Sequence, residues 1–141
     1  MSAHKLFTVF LSLVICIAVV GCTRQVEERN MVAREGLIYE MGSEHPFSGT
    51  VSGRGCEDYR KKAFDFKKHY KNGVLDGDTV FFYPNGKLES KVPYKNGKVN
   101  GFMVRYWPNG RPKARIHFVD GMRGGLKGEM FWDEDGHQIK S

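Results

Sequence analysis

The chain has 141 residues and a formal net charge of +6, with 27% charged and 40% hydrophobic residues. That length is enough for one domain. The moderately basic balance favours anionic neighbours such as lipid head groups, phosphorylated polysaccharide or an acidic protein, and by itself does not point to nucleic acid.

Met1 to Lys5 is short and carries His4 and Lys5, and Leu6 to Val20 is almost wholly apolar. A basic start, an apolar run too short for a stable span and a small residue before a cysteine predict a secretory signal peptide over residues 1–21. The alternative is an uncleaved anchor helix. Val19-Val20-Gly21-Cys22 resembles the lipobox of bacterial lipoproteins. The resemblance implies cleavage before Cys22 and acylation of that residue, anchoring the chain in a membrane. Each buried methylene of an acyl chain contributes about 0.8 kcal/mol, so several chains hold a protein without a spanning helix. Thr23 follows, and by resemblance to enterobacterial lipoproteins it favours the outer membrane, facing the periplasm. Loss of Lys5 with the leader leaves a net charge of +5.

Of the three cysteines, Cys16 leaves with the leader and Cys22 carries lipid. Cys56 is then alone and has no internal disulfide partner. It reads as a small buried residue, or as an exposed thiol able to pair with another chain. Residues 22–35 are polar, mixed in charge and without an apolar period, which predicts a tether that leaves room for a short helix.

From Gly36 the chain reads as strands and turns. Tyr70-Lys71-Asn72-Gly73 recurs as Tyr94-Lys95-Asn96-Gly97, and more weakly as Phe118-Val119-Asp120-Gly121. Gly77, Gly101 and Gly125 keep the same 24-residue step, as do Pro84-Asn85-Gly86 and Pro108-Asn109-Gly110. A fixed period of this size indicates stacked supersecondary units. Asn85-Gly86 and Asn109-Gly110 predict two-residue hairpin turns, since glycine and asparagine tolerate positive φ. Leu88, Ser90, Val92 and Tyr94 alternate with Lys87, Glu89 and Lys91; one repeat later Pro112, Ala114, Ile116 and Phe118 alternate with Arg111, Lys113, Arg115 and His117. This period-two pattern predicts half-buried strands.

Asp135-Gly136 falls two residues later than the period requires, placing extra residues in the glycine-rich stretch 121–128. His137 to Ser141 reads as a short last strand. Residues 36–68 form a degenerate first unit. There Pro46-Phe47-Ser48-Gly49 corresponds to the connections ending in Gly77 and Gly101, Gly53 and Gly55 are turn candidates, and Phe64 to Lys68 alternates as a strand.

These motifs resemble the MORN-repeat variant and, more narrowly, the bacterial repeat proteins of the YwqK antitoxin family. The carriers are Tyr70-Lys71-Asn72-Gly73, Gly77 and Phe82-Tyr83-Pro84-Asn85-Gly86-Lys87-Leu88, with their copies at 94–97, 101 and 106–111. The resemblance spans residues 36–140 and implies an all-β fold of tandem β-hairpin repeats forming an elongated, twisted antiparallel sheet. It bears little on activity. Tandem packing has a physical logic, since one hairpin cannot bury its aromatic face alone.

No phosphate loop, dinucleotide fingerprint or nucleophile elbow occurs in the chain. The five histidines lack ligand spacing, and Asp133-Glu134-Asp135-Gly136 lacks the later acid of a calcium loop. Asp76/Asp78 and Glu57-Asp58 read as solvated turn acids rather than catalytic pairs. The expectation is therefore no catalytic residue, metal, cofactor or small-molecule substrate. Lys87, Lys91, Arg111, Lys113 and Arg115 are expected on one side of neighbouring strands, broken only by Glu89. They form a candidate surface for a protein partner or an anionic envelope polymer, or simply a solvated face that blocks edge pairing. Tyr83, Trp107 and Trp132 are expected on the opposite side. Two functions follow: a membrane-anchored repeat lipoprotein presenting a binding surface, and an immunity protein that neutralises a toxin by direct contact.

Overall fold

The structure, a computed structural model, describes residues 25–57, 62–125 and 128–139. The expected signal peptide over residues 1–21, Cys22 and Thr23 lie outside the described residues. Fourteen strands are described in chain order: β1 (Gln25–Glu27), β2 (Met31–Arg34), β3 (Leu37–Glu40), β4 (Gly49–Glu57), β5 (Lys62–Lys71), β6 (Val74–Leu75), β7 (Gly77–Phe82), β8 (Leu88–Lys95), β9 (Lys98–Val99), β10 (Gly101–Tyr106), β11 (Pro112–Val119), β12 (Met122–Arg123), β13 (Met130–Trp132) and β14 (Gln138–Ile139). A single 3-10 turn, Glu28–Asn30, follows β1.

The large sheet runs in the order β1-β4-β5-β7-β8-β10-β11-β13-β14, an open antiparallel meander from β4 onward. It is the fold that the repeats predict. Residues 25–35 differ from the expected tether. β1 joins the sheet parallel to β4, with Val26 opposite Val51, and β2 pairs with β3 in a separate two-stranded sheet. Strands this short carry too few residues to show a period, and the partner of β1 lies far along the chain.

Each repeat turns at both ends. At the Pro-Asn-Gly end, the Gly86 amide donates to the Tyr83 carbonyl and the Tyr83 amide to the Lys87 carbonyl, both at 2.8 Å. Gly86 has φ +78°, whereas Asn85 is absent from the positive-φ residues. The loop is therefore three residues long, with glycine in the left-handed bulge position, rather than the expected two-residue turn. Gly110 with Trp107 and Gly136 with Asp133 repeat the closure. The two-residue turns with both central φ positive lie at the other end: Asn72-Gly73, Asn96-Gly97 and Asp120-Gly121, preceded by Glu35-Gly36.

Next to the Pro-Asn-Gly loops the register slips. Phe81 faces Ser90 while Phe82 faces Leu88, leaving Glu89 unmatched; Arg105 faces Ala114 while Tyr106 faces Pro112, leaving Lys113 unmatched. An extra residue re-aims the side chains beside it. Leu88 therefore does not continue the face of Ser90, Val92 and Tyr94.

Residues directly opposite each other share a face. One face carries Val51, Phe66, Thr79, Val92 and Ala114, all buried. The β2–β3 hairpin covers its first end: Met31, Val32 and Ile38 gather around Val51 and Tyr70. Gly53 and Gly55 lie within β4 rather than in turns. A Cβ on Gly53 would sit 2.6 Å from the Phe66 ring, and one on Gly55 would collide with Phe64. Glycine here admits the rings of the neighbouring strand.

The modules are tied along both rims. Gly73, Gly97 and Gly121 donate their amides to the carbonyls of Phe47, Leu75 and Val99, at 2.7–2.8 Å. Gly49, Gly77 and Gly101 each open a strand at positive φ, the equivalence that the Pro46–Gly49 motif predicts. On the opposite rim the Asn85 amide group reaches the Pro108 carbonyl at 3.3 Å, and that of Asn109 reaches the Glu134 carbonyl at 2.9 Å. Thus Asn85, Gly86, Asn109 and Gly110 are turn residues, and the two asparagines also bridge successive units.

Candidate binding face

The second face of the sheet is built from the same repeat. Lys67 in β5 faces Val80 in β7, which faces Lys91 in β8; Lys91 faces Val104 in β10, which faces Arg115 in β11, itself opposite Met130 in β13. This row crosses six adjacent strands and alternates cation with aliphatic side chain. Two residues beyond Val80, Val104 and Met130 stand Phe82, Tyr106 and Trp132, which strand alternation returns to this same face. All three rings are half-buried.

The cations are held with different firmness. Lys91 pairs with Asp78 at 2.7 Å, and this hydrogen bond raises the lysine pKa. Both side chains stay about half exposed, so water screens the pair. The Arg115 guanidinium lies 3.6 Å from the centre of the Phe102 ring, and His117 packs on that ring at 4.7 Å between centroids. Lys67 is exposed and has no ion pair among the described residues.

A cleft of about 780 Å³ opens at the first end of the sheet, lined by Ser52, Arg54, Asp65, Lys67 and Phe82 of this face, by Gly53 and Phe66 of the first face, and by Glu27, Glu28 and Arg29. Arg54 donates to Asp65 at 2.8 Å. That bond holds the carboxyl below its ordinary pKa and raises the guanidinium's. The cleft combines charged side chains of both signs with two phenylalanines, Phe66 and Phe82. Among the described residues, no group of three or more His, Cys, Asp or Glu side chains is arranged to hold a metal ion.

The five basic residues expected in one stripe are dispersed. Lys91 and Arg115 do share the second face. Lys113, the unmatched residue of its bulge, sets its ammonium 3.9 Å from the Trp107 ring centre and lines a hollow with Met103, Ala114 and Ile116 of the first face. Glu89, unmatched in the preceding bulge, approaches Arg105, a residue of the first face, at 3.6 Å and does not interrupt the row. Lys87 and Arg111 lie on the turn rim, where the Lys87 ammonium donates to the Asn109 carbonyl at 2.9 Å and the Arg111 guanidinium to the Glu134 carbonyl at 3.1 Å. Lys67 was not among the expected residues, although 67, 91 and 115 keep the 24-residue step.

The aromatics at the repeat ends face their neighbours. The Tyr83 hydroxyl donates to the Tyr106 carbonyl at 2.6 Å, and the Trp107 indole donates to the Trp132 carbonyl at 3.1 Å. Tyr83 is buried, and that burial raises its phenol pKa.

This geometry defines a class: a tandem β-hairpin repeat protein with an open sheet. The family model of the MORN repeat variant matches residues 75–96, one repeat unit of the chain. That family consists in general of non-enzymatic repeats. No curated protein and no solved structure matches the chain.

Proposed function

We propose that this is a non-enzymatic repeat lipoprotein of the bacterial envelope, acylated at Cys22, whose sheet presents the second face to a protein or an envelope polymer. One observation carries the reading. Equivalent hydrogen bonds tie each module to the next along both rims, and this leaves a broad face with a charged cleft lined by Phe66 and Phe82 at one end of the sheet. A repeat built this way extends a surface rather than enclosing a reaction centre. The lipobox-like Val19-Val20-Gly21-Cys22 supports the anchor, and Thr23 supports the outer membrane. Labelling with a radioactive fatty acid tests the anchor: label incorporated by the native chain should vanish in Cys22→Ala. Crosslinking on intact envelopes tests the surface, and native chain that captures nothing would refute it.

The immunity reading rests on the resemblance to antitoxin repeats. A stable one-to-one complex with a toxin would favour it. Reversing the charge of Arg111, Lys113 and Arg115 together tests whether any of these dispersed basic side chains holds the partner, because a partner held by one of them would be lost.

A further inference from the structure

We propose that the second face binds a linear acidic polysaccharide, laid across the strands along the row of cations and rings. The inference rests on the surface-presenting reading above and names the chemistry of its partner. Three successive modules supply the same trio: Lys67, Val80 and Phe82; then Lys91, Val104 and Tyr106; then Arg115, Met130 and Trp132. Within each trio the cation faces the aliphatic residue directly, and the ring stands on the diagonal, within reach of a long side chain.

Equivalent groups are separated by two strand spacings, about 9.6 Å. Such a row adds up its contacts only for a ligand that repeats in step with it. A folded protein surface has no such repeat. A bilayer offers mobile charge spread in two dimensions, and nothing that requires a line of ring faces. An extended polysaccharide with one acidic group on every second sugar supplies both elements. Its carboxylate or phosphate meets the cation, and the C–H face of a sugar ring packs on the electron-rich face of Phe82, Tyr106 or Trp132. The aliphatic residue between cations suits the uncharged sugar between charges.

The existing contacts of the row leave it usable. The Arg115 guanidinium sits 3.6 Å from the Phe102 ring centre and makes no hydrogen bond or ion pair among the described residues, so its N–H groups stay available to an anion. The Lys91–Asp78 pair is solvent-screened and exchanges at little cost. The cleft that Lys67 and Phe82 help to line provides a seat at one end of the line.

The test uses the full chain in detergent micelles with hyaluronate, a linear sugar polymer bearing one carboxylate per disaccharide. Affinity should rise steeply from disaccharide to hexasaccharide as successive trios engage, and then level off. The triple variant Lys67→Gln, Lys91→Gln, Arg115→Gln should bind the hexasaccharide about 30-fold more weakly, roughly threefold for each exposed charge contact removed. The triple Lys71→Gln, Lys95→Gln, Lys98→Gln removes the same charge away from the row and should lose less than about threefold on the same scale. Equal losses in both triples would overturn the proposal. So would equal binding of polyglutamate, or binding only to vesicles containing phosphatidylglycerol. The length series needs no variant, so it decides the matter even if a triple misfolds. An envelope partner that the row triple still captures would sink this inference and leave the surface-presenting function standing.

Discussion

The Tyr83 hydroxyl donates to the Tyr106 carbonyl oxygen at 2.6 Å, joining one repeat to the next at the end where the chain reverses. The Trp107 indole does the same for the Trp132 carbonyl at 3.1 Å. Trp107 follows Tyr83 by one period, so two different side chains solve one packing problem at equivalent positions. Replacing Tyr83 by Phe keeps the ring and removes the donor. The expected loss is about 1 kcal/mol, with the carbonyl left to find water at a partly buried site. Urea unfolding should show a lower midpoint with an unchanged slope. An unchanged midpoint would mean that the bond contributes nothing to the joint between modules.

Thr79 is the most buried side chain of the apolar face, and its hydroxyl has no hydrogen-bond partner among the described residues. Its neighbour across the sheet is Val92. Thr79→Val keeps the branched shape and removes an unpaired polar group, so it should stabilise by about 1 kcal/mol. A domain of this size would melt several degrees higher, roughly 4 °C or more. Thr79→Ser keeps the hydroxyl and deletes the methyl, and should destabilise by about 1 kcal/mol. If the valine variant melts lower than the native chain, the hydroxyl has a partner after all.

Much of the architecture was legible because the repeat makes its own argument. The strand pattern, the reversals at Pro-Asn-Gly and the equivalence of Gly49, Gly77 and Gly101 all follow from spacing and residue type. The site was less legible, and the reason is local. A single extra residue at Glu89 and again at Lys113 slips the register beside each loop, and strict alternation cannot reveal a slip. Lys113 thereby left the face of Arg115. Lys67 was missed for a different reason: its strand follows the stretch that matches the repeat poorly, although its number keeps the period. Gly53 and Gly55 were read by the common use of glycine in turns, whereas their role depends on two rings contributed by β5.

Those two glycines make a prediction that runs against strand propensity. Alanine or valine is normally favoured over glycine in a strand. At Gly53, however, a Cβ would come within 2.6 Å of the Phe66 ring and 3.0 Å of the Glu28 Cβ. Phe66 is only 3% exposed and has little room to yield. Gly53→Ala should therefore destabilise by about 1–3 kcal/mol, read as a lower unfolding midpoint. The double variant Gly53→Ala with Phe66→Leu should recover part of that loss, since the smaller side chain vacates the space. A stabilised single variant would show that the ring is not seated over β4.

Glu35 is the odd residue among the two-residue turns. Asn72, Asn96 and Asp120 hold φ near +50°, where a short polar side chain is tolerated; Glu35 adopts φ +50° with a longer one. Glu35→Asn should stabilise the β2–β3 hairpin by about 0.5–1 kcal/mol, because asparagine at the first central position matches this turn type. The converse change, Asn96→Ala, should weaken the chain by about 1 kcal/mol, since alanine has no means of offsetting the left-handed conformation. Both are read by thermal unfolding, and Asn96→Gly, expected to be near neutral, separates backbone strain from loss of the side chain.

The last turn carries a pH dependence of definite sign. The Asp133 carboxylate accepts the His137 backbone amide at 2.8 Å and faces the His137 ring at 3.2 Å. The amide bond is the largest cause of its lowered pKa; desolvation opposes it, and the His137 ring adds smaller lowering effects. A carboxyl whose folded pKa is depressed favours folding at every pH above its unfolded value, here 3.8, and that contribution is lost as pH falls through the folded value. The turn should therefore stay closed through neutral and mildly acidic solution and loosen only below the ordinary carboxylate range. An NMR titration of the His137 amide should show its shift moving with a midpoint below that of a free aspartate. In Asp133→Asn the amide keeps an acceptor but the titration should disappear. A midpoint at or above the ordinary aspartate value would mean that the carboxylate is not bonded to the turn.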